Sequence, residues 1–234
     1  MAGMPYITVA SQKRGPRKKS VLALVFGACI AFTFGIFACF SAPAYMAYWS
    51  YTPEEGDILF QSLPHSRLVN AIEGVTESPY SHCGIVAKLH DQWVVYEAYR
   101  KVEVTPLKEF IFRGRHQGFA VYRFNADHRK HISGTIDKVQ KYLGRPYDVR
   151  YRMDDEQIYC SELIFKAYRE SSGEQLGTLV RMGDLNWRPF QETIKHFEQG
   201  PVPLDREMIT PKDLAAAGQL DLAFSYGIAV KDRK

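Results

Sequence analysis

Little in this 234-residue sequence favours a protein stapled by disulfides or built around a metal. It has four cysteines, Cys29, Cys39, Cys83 and Cys160; none forms a CxxC pair and two lie inside an apolar N-terminal run, which excludes a disulfide framework. The seven histidines are scattered. His128 and His131 make only an i,i+3 pair with no third ligand nearby in sequence, which reads as a solvated helix face rather than a metal site. No metal and no cofactor is expected. Internal repeats and low-complexity tracts are absent too, and the length suits one well-packed domain with little left for a second.

A basic nucleic-acid footprint is also missing, although the formal net charge is +4. Lys13, Arg14, Arg17, Lys18 and Lys19 precede position 20 with no acidic residue among them. Setting those five aside leaves 25 of the 30 basic residues against 26 acidic ones, so the rest of the chain carries −1. No nucleic-acid partner is expected of a body so close to neutral.

What the N-terminus does have is a charge-free run of twenty residues, 21–40, about the length that crosses a bilayer core. The basic residues 1–20 just before it form a positive-inside flank. The expectation is a single-pass anchor in the inner (cytoplasmic) membrane, with the rest of the chain on the periplasmic or extracellular side. Ala42-Pro43-Ala44 has the small-x-small look of a signal-peptidase site, but the apolar run exceeds the usual signal core, which favours an uncleaved anchor. Residues 41–55 read as a juxtamembrane linker whose Tyr45, Tyr48, Trp49 and Tyr51 suit the interfacial belt. The folded domain is expected over 56–234.

Within it, Ile58-Leu59-Phe60 follows a Gly-Asp turn as a short strand, and residues 64–80 read as a helix or loop. Gly84 to Ala87 and Trp93 to Ala98 flank a polar His90-Asp91-Gln92 turn, predicting a hairpin. Val102 to Val104 and Gly118 to Phe124 add strands, for a small antiparallel sheet of four or five. Residues 107–112 form a helical turn, and 127–143 carry Ile132, Ile136, Val139 and Leu143 at helical spacing before Gly144. An aromatic-bearing loop, Arg145-Pro146-Tyr147-Asp148, follows. From Cys160, the positions Leu163, Ile164, Ala167 and Tyr168 trace the apolar stripe of a second amphipathic helix. A further helical stretch falls in 185–197, and Thr210-Pro211 reads as a cap with proline in the first turn. The fold class is α+β.

The chemistry gathers around Cys160. A thiol in the first turn of a helix meets unpaired N–H groups and the positive end of the dipole, so it ionises readily; the competing reading is a small core residue. His82 opens one strand of the hairpin and Glu97 closes the other, so antiparallel pairing can set them side by side. A carboxylate beside an imidazole fixes its tautomer and supports imidazolium. Cys83, next to His82 in the strand, points to the opposite face and reads as core. Tyr159 is either an ordinary aromatic wall or a pocket group whose hydroxyl meets a tetrahedral intermediate. Ser161 and Glu162 suit capping of the helix start.

Gly56-Asp57-Ile58-Leu59-Phe60-Gln61, Ser81-His82-Cys83-Gly84-Ile85-Val86, Val95-Tyr96-Glu97-Ala98 and Tyr159-Cys160-Ser161-Glu162-Leu163 together resemble the blocks of the permuted papain-like amidases, cysteine hydrolases related to the NlpC/P60 cell-wall peptidases. The resemblance covers about residues 54–214, with the histidine strand ahead of the cysteine helix as in that family. It implies a circularly permuted papain-like fold, with Cys160 as nucleophile, His82 as base and Glu97 as the group orienting the base. It also implies hydrolysis of amides in the cell envelope, peptidoglycan stem peptides or related acylated amines. Two other functions fit the same residues: a lipid-directed amidase or acyltransferase, and a non-catalytic envelope binding module.

Overall fold

The computed structural model describes residues 42–230, and the expected membrane segment and its basic flank lie outside the described residues. Among the described residues no helix is long and apolar enough to cross a membrane. The described residues from Met46 onward form one compact unit. Residues 42–50 are helical (α1), so part of the expected linker belongs to the domain: Ala47 and Tyr51 are buried in its core. Tyr51 lies against Phe119 and Phe224, with ring centroids 5.9 and 5.8 Å away, and its hydroxyl donates to Asp57 at 2.7 Å. That placement removes Tyr51 from the expected interfacial set, whereas Trp49 stays 76% exposed.

Six antiparallel strands make the main sheet: β1 (Ile58–Gln61), β2 (His82–Leu89), β3 (Gln92–Ala98), β4 (Val102–Pro106), β5 (Phe119–Phe124) and, outside a two-residue pair formed by β6 (Val180–Arg181) with β7 (Glu207–Met208), β8 (Leu220–Tyr226). The order across it is β4-β3-β2-β1-β5-β8. The β2–β3 hairpin turns on His90 and Asp91, both at positive φ (47° and 63°), and Leu89 pairs with Gln92. Positive φ at both central residues is what a two-residue hairpin loop needs to match strand twist.

Helices cover both faces, which is why β1 is buried at every position. On one face sit α4 (Ile132–Lys141) and α5 (Cys160–Ser172), whose Leu163, Ile164, Ala167 and Tyr168 join Cys83, Ile85 and Ala87 of β2 in the larger core. On the other, Leu107, Phe110 and Ile111 of α3 (Leu107–Arg113) pack on Val86, Val95 and Val121. Burying each such side chain is worth about 1.5–3 kcal/mol. The remaining helices are α2 (Arg67–Thr76), α6 (Gln191–Glu198) and α7 (Pro211–Ala215), the last capped by Thr210, which accepts from Asp213 N–H. The strand β8 exceeds the expected count. It is an edge strand with Leu222 exposed and a bulge opposite Val121 and Tyr122, so its sequence carries only a weak alternation.

Candidate active site

The start of α5 is held from three sides. Tyr159 is the N-cap residue, in extended conformation, and its main-chain N–H donates to Glu162 Oε2 at 3.1 Å. A glutamate three residues into a helix satisfies the donor that the helix itself leaves unpaired. Ser161 Oγ donates to Ile209 O at 2.8 Å, tying the first turn to the segment before α7. Lys166 stands 2.8 Å from Glu162 one turn on, and Gly173 closes the helix at φ 76°. Burial pushes the Glu162 carboxyl up to about 7 even with Lys166 opposing it. Glu162 and Ser161 therefore fix the helix end, as capping predicts.

On β2 and β3, Gly84 is the partner of Glu97, which places His82 two residues along the same face of the sheet. His82 Nε2 and Glu97 Oε2 are 2.5 Å apart, both buried. Arg113 Nη2 donates to the same oxygen at 2.5 Å and Thr105 Oγ1 to Glu97 Oε1 at 2.5 Å. Phe110 lies 5.5 Å from the imidazole and Tyr99 5.8 Å, while the Arg113 guanidinium stacks on Tyr99 at 4.1 Å. Gly84 makes room for this arrangement: a Cβ there would lie 2.4 Å from Val95 Cγ1 and 3.1 Å from Phe110 Cε2. Burial alone raises a carboxyl, but His82 and Arg113 outweigh it and hold Glu97 down at about 2. Burial likewise disfavours imidazolium, yet Cys160 and Glu97 raise His82 to about 9.

With Nε2 taken by Glu97, Nδ1 is the ring nitrogen left for the thiol. Cys160 is fully buried, with the Cys83 thiol, the His82 imidazole and the main-chain N–H of Cys83 around its sulfur. The Cys83 contact, then His82, drives its pKa well below that of an ordinary thiol in spite of burial. Cys83 is pushed up, by burial first and then by its neighbour Cys160. Strand alternation separates Cys83 from His82 as expected, but the face Cys83 points to is the one that α5 covers. Cys83 is thus a core residue that touches the thiol, a role that sequence alone did not assign it.

Tyr159 is buried, and its hydroxyl donates to Met153 Sδ at 3.1 Å and accepts from Ile209 N–H at 3.1 Å. Its proton is committed away from the thiol, which favours the aromatic-wall reading. The hydroxyl placed to act on Cys160 electrostatically is that of Tyr147, which meets Tyr151 Oη at 3.0 Å. The ring in the loop after Pro146 was the available signal, though pattern gave no reason to aim it at the helix start. Asp148 organises this loop by accepting from the N–H groups of Arg150 (2.8 Å) and Arg152 (2.6 Å). Among the described residues, no group of three or more His, Cys, Asp or Glu is arranged to hold a metal ion.

Comparison with known proteins gives one consistent result. Residues 52–224 match the family described as permuted papain-like amidase enzyme, YaeF/YiiX, C92 family. YiiX of Escherichia coli strain K12, an uncharacterised protein, is 30% identical over 186 residues, covering 77% of this chain and 88% of YiiX. The crystal structure of the metalloprotein YiiX from Escherichia coli O157:H7 superposes with a TM-score of 0.69 at 28% identity, over 75% of this chain and 99% of that one.

Proposed function

Because the chain belongs to the permuted papain-like amidases, a family of cysteine-dependent hydrolases acting on amides, we propose that it cleaves an amide of the cell envelope through Cys160, His82 and Glu97. The observation that carries this reading is the buried His82–Glu97 pair at 2.5 Å, set beside a Cys160 thiol at the start of α5 whose pKa the imidazole helps to lower. Cys160 Sγ attacks the amide carbon as thiolate. The oxygen that gains charge accepts from donors already at the sulfur, the Cys83 N–H and the Tyr147 hydroxyl. Imidazolium then protonates the leaving nitrogen, the C–N bond breaks, and an acyl-thioester remains. His82, now neutral, takes a proton from water as that water attacks the thioester, and the acid leaves with the thiol restored. Glu97, fixed by Arg113 and Thr105, keeps the ring oriented and its charge opposed throughout.

The related YiiX carries the name metalloprotein, but the donor groups described in this chain do not fit a metal, and no step runs through one. The charge-free run at 21–40 supports a membrane anchor with the domain on the outer side; carbonate-washed membranes retain the full chain if so, and full-length protein in the cytosol would refute it. The activity itself is tested by incubating the chain with muropeptides and N-acyl amines and following products by mass spectrometry. Cys160-dependent hydrolysis is expected; turnover that survives Cys160→Ala would overturn the assignment.

A further inference from the structure

Resting on the thiol-amidase reading, we propose that Gln61 is a further catalytic residue, whose side-chain amide binds the water that hydrolyses the acyl-thioester on Cys160. Gln61 ends β1, a strand otherwise made of Ile58, Leu59 and Phe60, and it is fully buried. In the β1–β2 register it is the direct partner of His82, and cross-strand partners project from the same face of a sheet. Ser81 N–H donates to Gln61 O at 3.1 Å, which fixes the pairing at the strand end. Glu97 stands on β3, across β2 from β1, so His82 has a carboxylate strand on one flank and the Gln61 strand on the other.

The two flanks differ in how their polar atoms are satisfied. Both side-chain oxygens of Glu97 are engaged, by His82, Arg113 and Thr105. Neither Nε2 nor Oε1 of Gln61 has a hydrogen-bond partner among the described residues. A buried amide left in that state lowers stability, and packing alone would favour an apolar side chain. The chain also keeps room for the amide. Gly114, just after α3, has an ordinary φ of −58°, yet a Cβ there would lie 2.6 Å from Gln61 Oε1. A side chain at 114 would push the amide aside.

An amide presents a donor and an acceptor together, and a water molecule matches both. In deacylation Gln61 Nε2 donates to the water oxygen, and Oε1 accepts one of the water protons. The other proton passes to His82 Nδ1 as the oxygen bonds to the thioester carbon. The C–S bond then breaks with its electron pair on sulfur, and a carboxylic acid leaves beside a restored thiolate–imidazolium pair. Acylation does not use this water, because imidazolium itself protonates the leaving group. Gln61 therefore serves the second half of the cycle.

The test uses the full chain with p-nitrophenyl acetate in stopped flow, where acylation gives a burst of nitrophenol and deacylation the steady rate after it. Gln61→Met keeps the length of the side chain and removes the amide. Its Cys160-dependent burst should stay within about threefold of wild type while the steady rate falls about 10- to 100-fold, the scale of a misplaced reactant. Acetyl-Cys160 should accumulate in the intact mass, the melting temperature should not fall, and hydroxylamine, a stronger nucleophile than water, should restore turnover. Should that variant fail to fold, Gly114→Ala displaces the amide without altering it and should show the same selective loss. A burst and a steady rate lowered together, or both unchanged, overturn the assignment and leave the amidase reading standing. No Cys160-dependent acyl-enzyme from this ester or from muropeptides overturns the amidase reading and the assignment with it.

Discussion

The strand β2 and the first turn of α5 each bring a fully buried cysteine to the same spot, and their surroundings shift the two thiols in opposite directions. Burial raises both. What separates them is the supply of donors. Cys160 stands at a helix start, where the dipole favours an anion, and has the Cys83 thiol, His82 and the Cys83 N–H around it to lower its pKa. Cys83 sits in β2 opposite Phe60, and its side chain faces Cys160. A reactive thiol is thus made by its surroundings, and an inert thiol can be one of them.

The largest expected effect is at Cys160, the proposed nucleophile. Cys160→Ala should lower kcat by about 10³-fold or more, as loss of a covalent nucleophile does elsewhere. Brief iodoacetamide treatment over a pH series, followed by peptide mapping, should label Cys160 well below the ordinary thiol range of roughly pH 8.5 and leave Cys83 unlabelled. Label appearing first on Cys83 would invert the comparison.

Next comes the imidazole side. Glu97→Gln keeps a hydrogen-bonding shape but removes the charge that supports imidazolium, and should cost tens- to hundreds-fold in rate, within the roughly 10²–10⁴-fold worth of acid–base assistance. The wild-type rate should fall on the alkaline side near pH 9, where His82 loses its proton, and in the variant that limb should move down. Stability follows by linkage. Glu97, depressed from 4.5 to about 2, contributes stability fully present above pH 4.5 and lost as pH falls through 2. His82, raised from 6.5 to about 9, contributes stability fully present below 6.5 and lost as pH rises through 9. The melting gap between wild type and Glu97→Gln should therefore be widest between pH 4.5 and 6.5. A gap independent of pH would remove Glu97 from the charge network.

Cys83 sharpens the comparison more gently. Cys83→Ala removes the thiol that helps to lower the Cys160 pKa, so Cys160 should alkylate about three- to tenfold more slowly near pH 6 and recover at higher pH. Cys83→Ser, which keeps a donor, should restore most of the rate. Equal alkylation in all three proteins would return Cys83 to a purely packing role.

These residues also mark how far the sequence could be read. The β2–β3 hairpin, the α5 stripe and the Thr210 cap were legible because each is a local pattern: alternation around a polar turn, helical spacing, a capping oxygen before proline. His82 and Glu97 were legible as neighbours because pairing across a hairpin fixes who sits beside whom. The contact of Cys83 with Cys160 was not, since alternation gives the direction of a side chain but not the element that covers that face. Tyr147 was hidden for the same reason, its loop being placed by Asp148 and by the bond from Ile158 N–H to Pro146 O at 2.9 Å. The Tyr51 burial and β8 escaped because an aromatic residue shortly after a long apolar run and a half-exposed edge strand both lack a distinctive period.

The smallest expected effect separates position from chemistry at the residue before Cys160. Tyr159 has its ring in the core and its hydroxyl between Ile209 N–H and Met153 Sδ. Tyr159→Phe leaves the wall in place and strips one buried hydrogen-bond acceptor from Ile209, at a cost of about 1–3 kcal/mol for the donor left unsatisfied. The melting temperature should drop by a few degrees, about what 1–2 kcal/mol does in a domain of this size. The rate should stay within about threefold of wild type, because a hydroxyl whose proton is held by Met153 has none to give an oxyanion. Tyr147→Phe is the contrast: it removes the hydroxyl placed to act on Cys160 electrostatically, and losing one such donor costs on the order of 10²-fold in kcat. If Tyr159→Phe lost kcat and Tyr147→Phe kept it, the two tyrosines would have to exchange roles, and the donor supply that sets Cys160 apart would come from its own helix side rather than from the loop.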